Sequence, residues 1–358
     1  MKKLFISMLA VAALASCSQE DVIVADKGDL IGFNSFVENS TRATDTTYGT
    51  VALTSFYVYG TVQGTGNGVV NIYDGDVVTG VVGEKEKDEN GNETNVDKAW
   101  SCDVKQYWIA DAQYNFAAVV DVDKDTDTDE LPDGVTVDEN GMPETIAYTT
   151  ANQNDLLYAD ETATGKATGN GKVNFTFEHL LAKAQFTVTS NTEGGYYYTV
   201  KDIMVSNYEG GTYTIAYADA DNDGKDDGTW TPGTATNVAF GKVEKVTKAT
   251  AGKTNDTQML LVPTTNDFKV SFIVEIWNDN GDADDVLLGQ TIYKDGDDDD
   301  VHNALPVTTD LVKGNTYNFN LNLSVGELIQ FTVTEEPEWN EDVNGDNKVD
   351  ANDNIKLQ

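Results

Sequence analysis

The chain has 358 residues, with 61 acidic side chains against 23 basic ones, a formal net charge of −38 and a pI near 4.1. Such a surface repels nucleic-acid phosphates and anionic lipid headgroups and attracts divalent cations. It favours solubility and leaves the fold open, so the pattern along the chain has to supply the rest.

Lys2 and Lys3 precede an apolar run, Leu4 to Leu14, that is too short to span a bilayer. Leu14-Ala15-Ser16-Cys17 follows, with small residues just before a cysteine. This order predicts a signal peptide over residues 1–16, cleavage before Cys17 and a diacylglyceryl thioether on its sulfur. The alternative is an ordinary signal peptide with an incidental cysteine. Ser18, Gln19, Glu20 and Asp21 open an acidic linker, 17–28, that resembles the signal sending lipoproteins to the outer face of some Gram-negative anaerobes. A plain solvated linker is the alternative. The expected location is the outer membrane, facing out, with contact to the membrane through the lipid alone. Each buried methylene of a palmitate-class chain contributes about 0.8 kcal/mol to such anchoring. With Cys17 lipidated, Cys102 is left alone, so no intramolecular disulfide forms. Cys102 follows Trp100 in a strand-like stretch and reads as a buried, inert thiol.

Removal of the signal leaves 358 − 16 = 342 residues, enough for two domains with separate cores. Val51 to Val62 is rich in Val, Phe and Tyr in near alternation. Similar runs are Val69–Tyr73, Gln113–Val120, Val173–Phe177, Ala184–Val188, Tyr196–Val205 and Thr212–Tyr217, then Gln258–Val262, Lys269–Trp277, Thr316–Leu323 and Leu328–Val333. Gly, Asn and Asp clusters separate them, as turns require. No long segment has a helical period, and His179 to Lys183 predicts at most one helical turn. The expectation is all-β, with two tandem β-sandwich domains over 29–177 and 178–336 and an acidic tail over 337–358. Acidic loops interrupt the strands, densest at 121–133, 219–227, 278–285 and 295–300.

The tail carries Asp342-Val343-Asn344-Gly345-Asp346-Asn347-Lys348-Val349-Asp350, then Asp353. Asp342, Asn344, Asp346, Asp350 and Asp353 fall on the side-chain ligand positions of a twelve-residue calcium loop, and Lys348 would give its carbonyl. The run looks like half of a dockerin; with no second half, cohesin binding is not expected, while calcium (Ca2+) is the expected ion. A weaker candidate is Asp219, Asp221, Asp223 and Asp227, where Trp230 stands at the position that should be acidic, and an acidic hairpin loop is the alternative.

Catalysis is not expected. His179 lies between apolar residues, as a packing histidine does, and His302 lies behind an aspartate run. No zinc-type cluster, phosphate loop or Gly-x-Ser-x-Gly elbow occurs, and no carboxylate pair is singled out among many.

Several local patterns together resemble the fimbrillin family of type V pilus subunits and fimbrillin-like surface lipoproteins. They include Leu30-Ile31-Gly32-Phe33, Thr41-Arg42-Ala43, Leu53 to Gly60, Tyr107-Trp108, Tyr114 to Ala118 and Asp155 to Ala159. Phe175 to Ala184, Leu260-Leu261-Val262-Pro263, Lys313 to Phe319, Ile329 to Val333 and Trp339 complete the series. Each is weak alone; their order over nearly the whole mature chain carries the resemblance. It implies two transthyretin-like sandwiches and a role as a fimbrial stalk, tip or related adhesin. It also implies assembly by proteolysis after Arg42, at the Arg42-Ala43 bond, which removes the lipid and the first strand, Ile31 to Val37. A strand from another fimbrial subunit would fill the groove by β-augmentation, and Leu328 to Val333 is the candidate donor. An ordinary surface arginine on a loop is the alternative for Arg42. The competing reading of the whole chain is a lipid-anchored surface module that does not polymerise and binds glycan or host protein. In that reading Trp100, Trp108, Trp230 and Trp277 supply a sugar platform, unless they pack the sandwich cores.

Overall fold

The computed structural model describes residues 29–37, 53–81 except 54, 65 and 67, 86–87, 93–94, 99–122, 134–165 except 152, 171–217, 228–253, 259–265, 268–279, 285–294, 301–324 and 329–336. Within them every regular element is a strand. In the first half these are β1 Gly32–Val37, β2 Ser55–Gln63, β3 Val69–Val81, β4 Glu86–Lys87, β5 Glu93–Thr94 and β6 Ala99–Cys102. Then come β7 Gln113–Val122, β8 Thr136–Val137, β9 Pro143–Thr149, β10 Asp155–Thr164 and β11 Lys172–His179. The second half holds β12 Ala182–Ser190, β13 Tyr196–Tyr208, β14 Gly210–Thr214, β15 Thr229–Pro232, β16 Ala235–Val246, β17 Gly252–Lys253 and β18 Met259–Leu261. It ends with β19 Phe268–Asn278, β20 Val286–Tyr293, β21 Val301–His302, β22 Leu305–Val307, β23 Thr316–Leu323 and β24 Gln330–Glu336.

The first half follows the order β1-β11-β10-β7-β2-β3-β6. Only the last two residues of β11, Glu178 and His179, pair with β10; the rest of β11 turns away and pairs in parallel with β1. The β1–β11 pair thereby lies over the larger antiparallel layer. Alternation dictates what meets between them: Phe33, Val173, Phe175 and Phe177 face Phe56, Val58, Tyr73 and Phe116, and all are buried. Gly60 makes room for that packing. A Cβ there would stand 3.0 Å from the rings of both Phe116 and Tyr73.

The second half is a sandwich of β17-β12-β23-β24 against β16-β13-β19-β20-β21. Its inner faces supply Ala184, Phe186, Phe319 and Leu321 on one side and Val200, Val205, Phe240 and Phe272 on the other. A third core lies where the halves meet. There β9, from the first half, pairs antiparallel with β14, from the second, in a sheet β15-β14-β9-β8. Its Ile146, Tyr148, Tyr213 and Trp230 pack with Leu156, Tyr158, Leu180 and Leu181. The strands approach so closely that a Cβ on Gly210 would lie 2.0 Å from the Tyr148 carbonyl oxygen.

The expected helical turn at His179 to Lys183 is replaced by the end of one strand and the start of the next. The Leu180 N–H donates to Leu156 O (2.9 Å) and the Lys183 N–H to Asn315 O (2.9 Å), so the backbone groups that a helical turn would use internally are committed to neighbouring strands. Among the longer strands, patterning also leaves out β9, β10, β16 and β20. In β16 the inward residues are spaced by small and charged ones, and β20 has Gly289 in its middle and mostly exposed apolar residues at its start.

Candidate strand-exchange site

The two strands that the assembly expectation singles out occupy very different settings. In β1, Ile31 just before the strand and Phe33 within it point the same way, two residues apart, and are 4% and 1% exposed. The Phe33 ring meets four others: edge-on to Phe56 (6.3 Å between centroids), Tyr73 (5.5 Å) and Phe116 (6.5 Å), and stacked on Phe175 (6.0 Å). The backbone is held on one side by the parallel register Gly32↔Lys172 to Val37↔Phe177. At the start of the segment, Ile31 N–H donates to Gln106 O (2.9 Å) and Trp108 N–H to Asp29 O (3.0 Å). On the surface, Asn34 donates to the Asn174 side chain (2.8 Å) and accepts from Lys172 (3.0 Å). Removing β1 would uncover a row of aromatic rings and unpair β11.

At the other end of the chain, the expected donor is β24, displaced slightly toward the C-terminus. It pairs antiparallel with β23, from Asn322↔Gln330 to Thr316↔Glu336, at the edge of its sheet. Ile329, Phe331 and Val333 alternate toward the core but are only half-buried. Phe331 has one ring partner, Phe319, stacked at 6.2 Å.

Where the chain crosses between halves, buried polar groups fix the joint. His179 Nδ1 lies 2.8 Å from Asp155 Oδ2, both buried, and Lys313 pairs with Glu178 at 2.7 Å. His179 is thus a packed, partnered histidine. Two buried amides, one from each half of the chain, grip the segment at β18. Gln153 donates to Leu260 O (3.1 Å) and accepts from Leu260 N (2.7 Å), and Asn207 does the same with Val262 (3.1 and 2.9 Å). Sequence reasoning missed both clamps; the signal was an apolar Leu260-Leu261-Val262 run stopped by Pro263, which leaves backbone groups that a short strand cannot pair.

The four expected platform tryptophans do not converge. Trp108 is buried against Tyr114 (4.8 Å) and donates to Gly171 O. Trp100 packs on Phe56 and Trp230 on Tyr148 and Tyr213. Trp277 alone lies on an outer sheet face, stacked on Tyr197 at 6.2 Å. His302 is stacked on Tyr293 at 5.1 Å. The Cys102 thiol is buried, which pushes its pKa up and away from reactivity. Burial first, then the nearby Asp74 carboxylate, pushes the Tyr59 hydroxyl up to about 12.

Cys17, Arg42, Ala43, the tail residues Asp342, Asn344, Asp346, Lys348, Asp350 and Asp353, and the weaker set Asp219, Asp221, Asp223 and Asp227 all lie outside the described residues. Among the described residues, no group of three or more His, Cys, Asp or Glu side chains could hold a metal ion.

A family profile described as fimbrillin-like matches residues 41–337. No curated protein matches the chain. Among solved structures, a fimbrial protein from Bacteroides vulgatus is similar at 15% identity and a TM-score of 0.57, covering 86% of this chain and 99% of that one. At that identity the likeness concerns the fold. A fimbrial assembly protein from Parabacteroides distasonis aligns at 15% identity and a TM-score of 0.40, covering 86% and 100% of the two chains. The fimbrial anchor protein Mfa2 from Porphyromonas gingivalis aligns at 11% identity and a TM-score of 0.33, covering 87% and 96%.

Proposed function

From the premise that the chain belongs to the fimbrillin-like family, we propose that it is a structural subunit or adhesin of cell-surface fimbriae, exported as a lipoprotein through Cys17 and assembled by strand exchange. In this reading a protease cuts after Arg42, β1 leaves with the lipid, and β24 of another subunit refills the groove.

The observation that carries the reading is the match between the two strands. Ile31-x-Phe33 and Ile329-x-Phe331 carry the same side chains at the same spacing, so β24 can present an isoleucine and a phenylalanine to the pockets that β1 vacates. Three further facts support it. Release of β24 uncovers half-buried side chains, whereas an empty β1 groove exposes fully buried rings, so the exchange runs toward greater burial. The β1 pairing is parallel, the slightly weaker of the two ladder types. Arg42 is also the only arginine in the chain, five residues past the end of β1, while every other basic side chain is a lysine. An arginine-specific protease therefore has one bond to cut and spares the rest.

A repeating head-to-tail contact of this kind does not close on itself and yields a filament. The test is to treat residues 18–358 with an arginine-specific protease beside an Arg42→Ala control and run unheated SDS gels. A ladder of SDS-resistant oligomers that requires Arg42 is the expected result. Monomers in both samples would overturn the polymerising reading and leave a surface module that acts singly.

A further inference from the structure

Most of the large apolar side chains that stay exposed among the described residues gather at two places, the ends of the two halves that face away from their joint. In the first half the joint lies at the start of β10 and the end of β11, so the far end is where Gln63, Gln113 and Thr164 pair. Val69 stands opposite Gln63 there, and Val70 opposite Val62. The segment before β7 is tied to the same end: the Ile109 N–H donates to the Tyr114 hydroxyl (2.7 Å), and Leu30 is bridged to Tyr107. Leu30, Val69, Val70 and Ile109 are 45%, 40%, 49% and 56% exposed.

In the second half β13 runs toward the joint, where Tyr208 leads into β14, so its far end is Tyr196. Tyr196, Asn278 and Val286 form one row across β13, β19 and β20, and Tyr197, Trp277 and Leu287 form the next. Leu288 is the extra residue of a bulge between Leu287 and Gly289. Val286, Leu287 and Leu288 are therefore three consecutive exposed apolar residues, at 53%, 43% and 51%. Strand β21 pairs with β20 only at Ile292 and Tyr293, so it does not reach them. Strand β20 carries no charged side chain and no proline, the usual devices that keep an open edge from pairing. An apolar run left on a surface of this charge marks a contact.

We propose that these two apolar ends dock on each other in successive copies of this chain, the second-half end of one subunit on the first-half end of the next; the inference rests on the strand exchange proposed above. The topology brings these two ends together. Leu323 is paired with Ser190 at the second-half far end, so a released β24 leaves its own subunit there. Strand β1 runs inward from Gly32 at the first-half far end, parallel to β11, so a strand that takes its place in the same direction enters the next subunit there. The chain from Leu323 to Ile329 spans at most about 20 Å when fully extended. Leu328-Ile329-x-Phe331 repeats Leu30-Ile31-x-Phe33, so the incoming strand also restores the leucine that leaves with β1. A contact that is weak alone is enough, because so short a linker holds the two ends at roughly millimolar effective concentration. An unrelated protein would gain nothing from that tether, which makes a second copy the occupant.

The experiment is sedimentation velocity on uncut residues 18–358, in which no strand is exchanged, over a concentration series that reaches about 0.5 mM. The buffer holds about 0.5 M sodium chloride, which screens the repulsion between two chains of formal charge −38. Self-association that grows with concentration is expected. Ile109→Asp at the first-half end and Leu287→Asp at the second-half end should each weaken it about tenfold or more, because the contact would bury an unpaired charge. Val70→Asp and Leu288→Asp serve as the second variant at each end, and all four are first checked for unchanged thermal unfolding. An equimolar mixture of Ile109→Asp and Leu287→Asp proteins should recover a one-to-one dimer, since each keeps the end that the other has lost. A parent chain that stays monomeric throughout, self-association that survives the variants at either end, or a mixture that fails to associate would each overturn the proposal. Failure of strand exchange is read separately, on the SDS gels that follow cleavage at Arg42.

Discussion

Strands β1 and β24 lie near opposite ends of the chain and carry the same Ile-x-Phe pair, yet the fold treats them differently. Phe33 is sealed among four rings and Phe331 leans on one. Both strands end their sheets in the strand order, but β1 closes the aromatic core of the first half, whereas β24 keeps its side chains half-buried. The side-chain pattern alone therefore does not set how tightly a strand is held. What decides is how completely the facing layer covers it.

Truncating the two phenylalanines separates the strands by stability. Phe33→Ala should cost about 3–5 kcal/mol in urea unfolding, the range for a fully buried aromatic ring. Phe331→Ala should cost about 1–2 kcal/mol, in proportion to its partial burial. Equal losses would mean that β1 and β24 are held alike. Between these two lies the joint. Gln153→Ala strands the buried Leu260 N–H and C=O and should cost about 2–3 kcal/mol, since each orphaned group carries its own desolvation penalty. A loss below 1 kcal/mol would show, on that same scale, that the two halves are held mainly by the apolar contacts of the third core.

Smaller effects sharpen the contrast. Burial alone would raise the Asp138 carboxyl, but the Met142 and Asn140 N–H groups donate to it at 2.9 and 2.8 Å and hold it below the ordinary value of 3.8. A carboxylate with a lowered folded pKa stabilises above its unfolded pKa and loses that contribution as pH falls through the folded one. Asp138→Ala should therefore lower stability by about 1 kcal/mol at neutral pH. The gap to the parent protein should close as pH drops below 3.8, read as paired melting temperatures against pH. Asp138 shapes the β8–β9 turn, far from either exchanging strand in the sheet order, so a gap that stays constant with pH would rule out the hydrogen-bonded carboxylate as its cause. Lys172→Ala removes only an exposed bond to Asn34 and should shift stability by less than about 0.5 kcal/mol; more would mean that β1 is held from its surface rather than from its core.

Much of this was legible in the residues. Alternation in Val51 to Val62, Lys269 to Trp277 and Thr316 to Leu323 marks strands with one buried face, and β2, β19 and β23 lie there. The all-β class follows from such runs. Their pairing does not: nothing in β9 or β14 alone announces that Thr145 to Thr149 will join Gly210 to Thr214 across the two halves. The His179 to Lys183 stretch read as a helical turn because its apolar residues are contiguous, and the competing cause was tertiary, the burial of Leu180 and Leu181 in the third core. The tryptophans fail to form a platform for a similar reason. Type and number say nothing of which face a ring takes, and Trp108 and Trp230 went inward, where their N–H groups found carbonyls. The two apolar ends left no sequence mark at all, since only the register places Val69 with Gln63 and Gln113, or Tyr196 with Val286, at one end.

Strand exchange requires that β24 can occupy the place of β1. It is tested most directly by cutting residues 18–358 at Arg42, adding a synthetic peptide of residues 328–336, and following release of the 18–42 fragment by native mass spectrometry. The peptide is expected to displace the fragment and stay bound, and a Phe331→Asp peptide to do neither. A fragment that remains bound at every peptide concentration, or one that leaves equally with the Phe331→Asp peptide, would contradict it.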